Sequence, residues 1–154
     1  MSKIPDFNLQ AAHKYFSVHC FNAAWEYIEK ARRTPDDDDN MIRLTQTSMW
    51  HWKQREDVTD MNFSVGYWQL SRVYALAGKA EDSRKYGKLC LKHSENEEPF
   101  YKGFAHEAMA RAEALVRSNE KAKEHIAKAR EFAKQVADPE RQRLLVDDIE
   151  NIRL

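Results

Sequence analysis

The chain has 154 residues, 32% of them charged and 42% hydrophobic, a composition that suits one globular domain and excludes a disordered chain. Lys plus Arg equals Asp plus Glu at 25 each, so the basic excess of a nucleic-acid-binding face is missing. Four Gly and four Pro are too few for a turn-rich sandwich or barrel, and no apolar run approaches the ~18 residues of a membrane span.

The run Met1-Ser2-Lys3-Ile4-Pro5-Asp6 lacks the apolar stretch of a signal peptide. Cys20 and Cys90 form no C-x-x-C pair. The expectation is therefore a cytoplasmic protein with free thiols.

Proline punctuates the chain, because its missing N–H costs nothing in the first turn of a helix. Pro5-Asp6 opens a first helix over residues 7–32, a stretch without Gly or Pro. Ala12, Phe16, His19, Ala23, Tyr27 and Ala31 keep one face of it through steps of three or four. Thr34-Pro35-Asp36-Asp37 reads as N-cap, first helical residue and acidic first turn of a second helix over 35–55, with Met41, Thr45, Ser48, Met49 and Trp52 inward. A third helix covers 60–77 and stops at Gly78, a residue suited to the left-handed C-terminal position. A fourth covers 80–93. Glu98-Pro99 starts a fifth over 99–117, a sixth runs over 119–137, and Asp138-Pro139-Glu140 starts the last over 139–152. Short connections make sequential helices antiparallel.

An internal repeat is visible. Leu70-Ser71-Arg72-Val73-Tyr74-Ala75-Leu76 aligns with Met109-Ala110-Arg111-Ala112-Glu113-Ala114-Leu115 at an offset of 39. The same offset pairs Ser83 with Ala122 and Cys90 with Ala129, while Phe63 and Gly66 match Phe100 and Gly103 at 37. A helix-turn-helix period of this size marks a helical solenoid. Tyr67, Leu70, Ser71, Tyr74 and Gly78, continued by Ser83, Cys90 and Leu91, resemble the tetratricopeptide repeat. Gly87 stands where that pattern has an aromatic. In the next unit Arg117 replaces its Gly and Glu113 its Tyr. The resemblance covers residues 60–137. Trp50-His51-Trp52 followed by Trp68-Gln69-Leu70-Ser71-Arg72-Val73-Tyr74-Ala75 also resembles an uncharacterised bacterial family of this shape, which implies no activity.

Ala24, Ile28 and Ala31 imitate the second helix of a repeat, which would split the first helix near Cys20. Parity argues against the split, since residues 7 and 60 would then begin helices of opposite direction. The expected architecture is an all-α, tetratricopeptide-like superhelix forming one domain over 1–154. It has three antiparallel hairpins (7–55, 60–93, 99–137) and a C-terminal capping helix.

The resemblance assigns a concave groove to Val65, Trp68 and Arg72 of one unit and Phe104, Glu107 and Arg111 of the next. Arginine offers a planar donor fork to carboxylates, so this wall suits an acidic peptide or a C-terminal carboxylate. Alternatively, Arg72 pairs with Glu107 and Arg111 with another internal acid. Trp50 and Trp52 point about 200° apart on a helix, so one of them is exposed and open to stacking by Arg55. A pocket around His51, Trp52, Trp68 and Arg72 is the small-ligand alternative.

Metal and cofactor sites are not expected. His13 and Cys20 share a helix face but lie roughly 10 Å apart along it, and His51, His93, His106 and His125 are isolated in sequence. Asp36-Asp37-Asp38-Asp39 lacks the alternating ligands and Gly of a calcium loop and serves as a helix start instead. No catalytic motif is present, and the Lys-rich run 121–134 carries Glu124 and Glu131 as a solvated face. The sequence thus points to a protein- or peptide-binding module rather than an enzyme. A ligand-binding sensor and a self-associating scaffold are the alternatives, with no nucleic acid or membrane partner.

Overall fold

A computed structural model describes residues 6–154. Among them seven helices follow in order: α1 (Leu9–Ile28), α2 (Pro35–Gln54), α3 (Asp60–Leu76), α4 (Ala80–Ser94), α5 (Pro99–Leu115), α6 (Asn119–Lys134) and α7 (Pro139–Glu150). The described residues contain no strand. α1 packs on α2, α3 on α4 and α5 on α6. α3 also meets α5, and α7 lies against both α5 and α6. No helix among the described residues is long and apolar enough to cross a membrane.

Local chemistry sets where the helices start. The Thr34 hydroxyl accepts from the Asp37 backbone N–H while the Asp37 carboxylate accepts from the Thr34 N–H, a reciprocal cap. Thr59 and Asn62 do the same for α3, and the Asp138 carboxylate accepts from Arg141 N–H at the start of α7. Each such cap contributes about 1 kcal/mol. α1 begins later than expected, with Asn8 as its cap accepting from Ala11 N–H. Pro5 lies outside the described residues.

Helix ends repeat as well. Gly78 has φ +72°, its N–H donates to Ala75 O at 3.0 Å, and Lys79 N–H donates to Tyr74 O at 2.8 Å. Arg117 has φ +57°, donating to Ala114 O at 3.0 Å, while Ser118 N–H donates to Glu113 O at 3.0 Å. Both are the same two-bond termination. Backbone geometry recurs at the offset of 39 although a side chain with a Cβ has replaced glycine, at a steric cost of roughly 1–2 kcal/mol.

The core runs along the stack in three clusters. Ala24, Ile28, Met41 and Val73 join α1 to α2 and α3. Met49, Tyr67, Leu70, Cys90 and Ala105 fill the middle, and Ala129, Ala133, Val136, Leu145 and Ile149 join α6 to α7. Met41, Thr45, Ser48 and Met49 face inward as expected, with Trp52 partly buried behind them.

The face of α1 requires correction. Its buried side chains are His13, Ser17, Cys20, Ala24 and Ile28, one residue and hence about 100° round from the stripe of Ala12, Phe16 and His19. Small and polar groups explain the rotation. Ser48 Oγ donates to Ser17 O at 2.6 Å and Arg55 Nη1 to Ser17 Oγ at 3.0 Å, so the α1–α2 seam is too narrow for Phe16. That ring is left exposed beside Tyr15 and Val18.

Candidate functional site

The expected groove residues come together. Glu107 of α5 is fully buried, at 0% exposure. Its carboxylate accepts from the Trp68 indole N–H at 2.9 Å, from Arg72 Nη1 at 3.4 Å and from Arg111 Nε at 2.8 Å, with Arg111 Nη2 in close contact. One helical turn separates Glu107 from Arg111, and the neighbouring helix α3 presents Trp68 and Arg72 with the same spacing. The repeat therefore superposes Trp68 on Glu107 and Arg72 on Arg111, and the stacking of α3 on α5 drives all four to one point.

Asp148 of α7 completes the network. Arg72 Nη2 lies 3.8 Å from its Oδ1, and Arg111 Nη2 donates to its backbone O at 3.2 Å. Burial raises the Asp148 carboxyl above its ordinary range, with the Glu107 charge adding to the rise. Burial and the neighbouring Arg111 lower Arg72. Two guanidinium groups and two carboxylates thus cancel, and Arg72 Nε is buried with no hydrogen-bond partner.

That arrangement changes what the arginines can do. They do not stand open for an acidic ligand, because Glu107 already takes both forks. The internal pairing of Arg72 with Glu107 is present, and Arg111 uses the same carboxylate instead of a separate acid.

Beside this network lies a cleft of about 450 Å³. Val65, Trp68 and Phe104 form part of its wall, as the groove assignment expects. Trp25 of α1 stacks on Trp68 with ring centroids 5.9 Å apart, and Phe104 meets Trp68 edge-on at 5.5 Å. Phe100, Tyr101 and Leu144 extend the apolar surface, and among the described residues Asp147 and Asp148 supply the only charged groups of the lining. The contributions of Trp25 and of α7 were not visible in the repeat, because both lie outside the two matching units. A wider depression of about 540 Å³ beside α6 is edged by Lys123, Arg130, Glu131 and Lys134, long charged side chains that water satisfies.

The tryptophan–histidine pocket does not assemble. Trp50 is the exposed member of its pair, at 55%, but Arg55 stacks on Trp52 at 3.9 Å. Its fork is also held by Asp57, whose carboxyl is thereby lowered to about 2. His51 turns toward α1, with its Nδ1 2.8 Å from His13 Nδ1. Neither His51 nor Trp52 lines the cleft that contains Trp68.

Three of the four histidines isolated in sequence pair with another histidine in space, His51 with His13 and His106 with His125, while His93 meets Asp60 at 2.7 Å. His106 Nδ1 lies 3.0 Å from His125 Nδ1, a contact that needs one ring to donate and the other to accept. Burial, helped by the charge of its histidine neighbour, lowers His106 to about 4. His125 and His51 are lowered for the same first reason. Among the described residues no group of three or more His, Cys, Asp or Glu side chains could hold a metal ion. Burial pushes the Cys90 thiol up to about 12 and also raises Cys20, so neither is primed as a nucleophile. Compared with protein-family models, with curated proteins and with solved structures, the chain matches none of them.

Proposed function

We propose that this chain is a tetratricopeptide-like interaction module that takes a segment of a partner protein into the cleft between α1, α3, α5 and α7. The observation that carries the reading is the apolar, aromatic-walled cleft itself. Its volume of about 450 Å³ suits one or two side chains of a docked segment. The superhelical assignment is supported by the shared helix termination at Gly78 and Arg117 and by the convergence of equivalent positions on Glu107. The reading gives the module no catalytic step and places it in the cytoplasm, where its two buried thiols stay reduced.

Replacing Arg72 and Arg111 is a poor test, because both neutralise a buried carboxylate. Leu144 is 58% exposed on the cleft lip, so Leu144→Glu alters the site and spares the core. A partner recovered from native lysate by the wild type and lost with Leu144→Glu, at unchanged helicity, supports the cleft. Equal recovery overturns it.

Self-association is the second reading, and an apolar patch favours it: Tyr15, Phe16 and Val18 of α1 and Trp50 of α2 are all exposed. Light scattering that finds only monomer at high concentration rejects it.

A further inference from the structure

We infer that the cleft selects a cationic side chain on an apolar flank, a lysine or arginine beside a large hydrophobic residue, rather than an acidic segment. This rests on the cleft being the binding site.

The inference comes from charge and ring placement. Trp25, Trp68, Phe100 and Phe104 give the walls, each ring within about 6 Å of the next in the chain of contacts Trp25–Trp68–Phe104–Phe100, at 5.9, 5.5 and 5.0 Å. The faces of such rings carry negative potential and attract a cation that has shed part of its water. Among the described residues the only charges in the lining are carboxylates, those of Asp147 and Asp148. Asp148 shares in the arginine network, but Asp147 has no ion-pair partner among the described residues. With Arg72 and Arg111 set against Glu107 and Asp148, Asp147 leaves the cleft one negative charge in excess.

Arg141 shows how the rings accept a cation. Its guanidinium lies 4.1 Å from the centre of the Phe100 ring and 5.5 Å from that of Tyr101, with its charge answered by Glu98 at 3.2 Å. That pair cancels itself and leaves the excess on Asp147 unchanged. An acidic segment would meet Asp147 unshielded, and no arginine lines the cleft to receive it: both guanidinium charges are set against Glu107 and Asp148, and the one unpartnered donor, Arg72 Nε, is buried. The stem of a lysine, by contrast, lies along Trp68 and Phe104 while its ammonium reaches Asp147.

The probes are three short amidated peptides that share flanking leucines and differ at one central position, carrying lysine, norleucine or glutamate. Binding to the full chain is followed by tryptophan fluorescence and calorimetry. The lysine peptide should bind most tightly, norleucine about tenfold more weakly for want of the cation contacts, and glutamate most weakly. Asp147→Asn, at a solvent-exposed position outside the core, should remove the ion-pair share of that gap and weaken the lysine peptide about threefold, while an unchanged lysine affinity overturns the role of Asp147. Equal affinity for lysine and norleucine overturns the charge preference while leaving the apolar cleft in place. Tightest binding of the glutamate peptide overturns it in favour of the arginines. If none of the three binds, the cleft reading fails along with the preference.

Discussion

Glu107→Gln should be among the most destabilising conservative changes in the molecule. The side chain is wholly buried, and the partner arginines are themselves only 16% and 18% exposed. Glutamine keeps the shape but removes the charge, leaving two guanidinium groups against the single carboxylate of Asp148. Its amide can present an oxygen to the arginines only by turning N–H groups toward the Trp68 indole N–H, so a donor faces a donor. Removing one partner of a buried pair costs about 3–5 kcal/mol. Because Asp148 remains and both arginines keep a path to water, the lower end applies, near 3 kcal/mol. For a domain of this size that lowers Tm by roughly 6–12 °C. Urea denaturation followed by circular dichroism should show a reduced midpoint at unchanged slope. Glu120→Gln, whose pairing with Lys123 is solvent-exposed, should change stability by less than about 0.5 kcal/mol. A Glu107→Gln cost under about 1 kcal/mol would refute the hub. Replacing Arg72 and Arg111 with Met together with Glu107→Leu should recover only part of the loss, since it leaves the Trp68 indole N–H without an acceptor and Asp148 without its arginines.

Arg117→Gly should raise stability by about 1 kcal/mol, because glycine takes φ +57° without the Cβ clash, and a thermal melt reads the gain directly. A neutral or harmful outcome would mean that the Arg117 side chain does more than the backbone shows. Gly103→Ala drives a new methyl into Leu145 of α7, and Gly66→Ala meets only the flexible end of Met49. The first should therefore cost about 1–3 kcal/mol and the second less, and the reverse order by denaturant midpoint would contradict the close packing of α5 against α7. Lowered histidine pKa values make the unfolded chain bind protons first as the solution is acidified. Stability should be intact above the unfolded histidine value, near pH 6.5, and decline as pH falls toward the His106 value of about 4. His106→Gln should flatten that decline in denaturant midpoints measured across the range, and an unchanged slope would dismiss the histidine pair as its source.

The starts of α2, α3, α5 and α7 were legible because caps and prolines act within four residues, so Thr34-Pro35 and Asp138-Pro139 carry their own structural instruction. The face of α1 was not legible. Phe16 outranks Ser17 on any hydrophobic scale, yet the seam with α2 selects small groups that let Ser48 reach the Ser17 carbonyl. Repeat arithmetic located Trp68, Arg72, Glu107 and Arg111 together, since equivalent positions on stacked hairpins must neighbour one another. It offered Glu107 as a partner for Arg72 but not for Arg111, and it did not foresee Asp148, because both depend on the depth of Glu107 and the placement of α7. His13 with His51 and His106 with His125 were hidden for a similar reason. Their partners sit on neighbouring helices, 38 and 19 residues away, where no local spacing rule applies.

The four tryptophans provide the most direct test of the cleft. Each gives one indole N–H signal in a nitrogen–proton correlation spectrum, and titration with the lysine-centred peptide should move those of Trp25 and Trp68 while Trp50 and Trp52 stay fixed. Shifts confined to Trp50, or spread evenly over all four, would contradict the account.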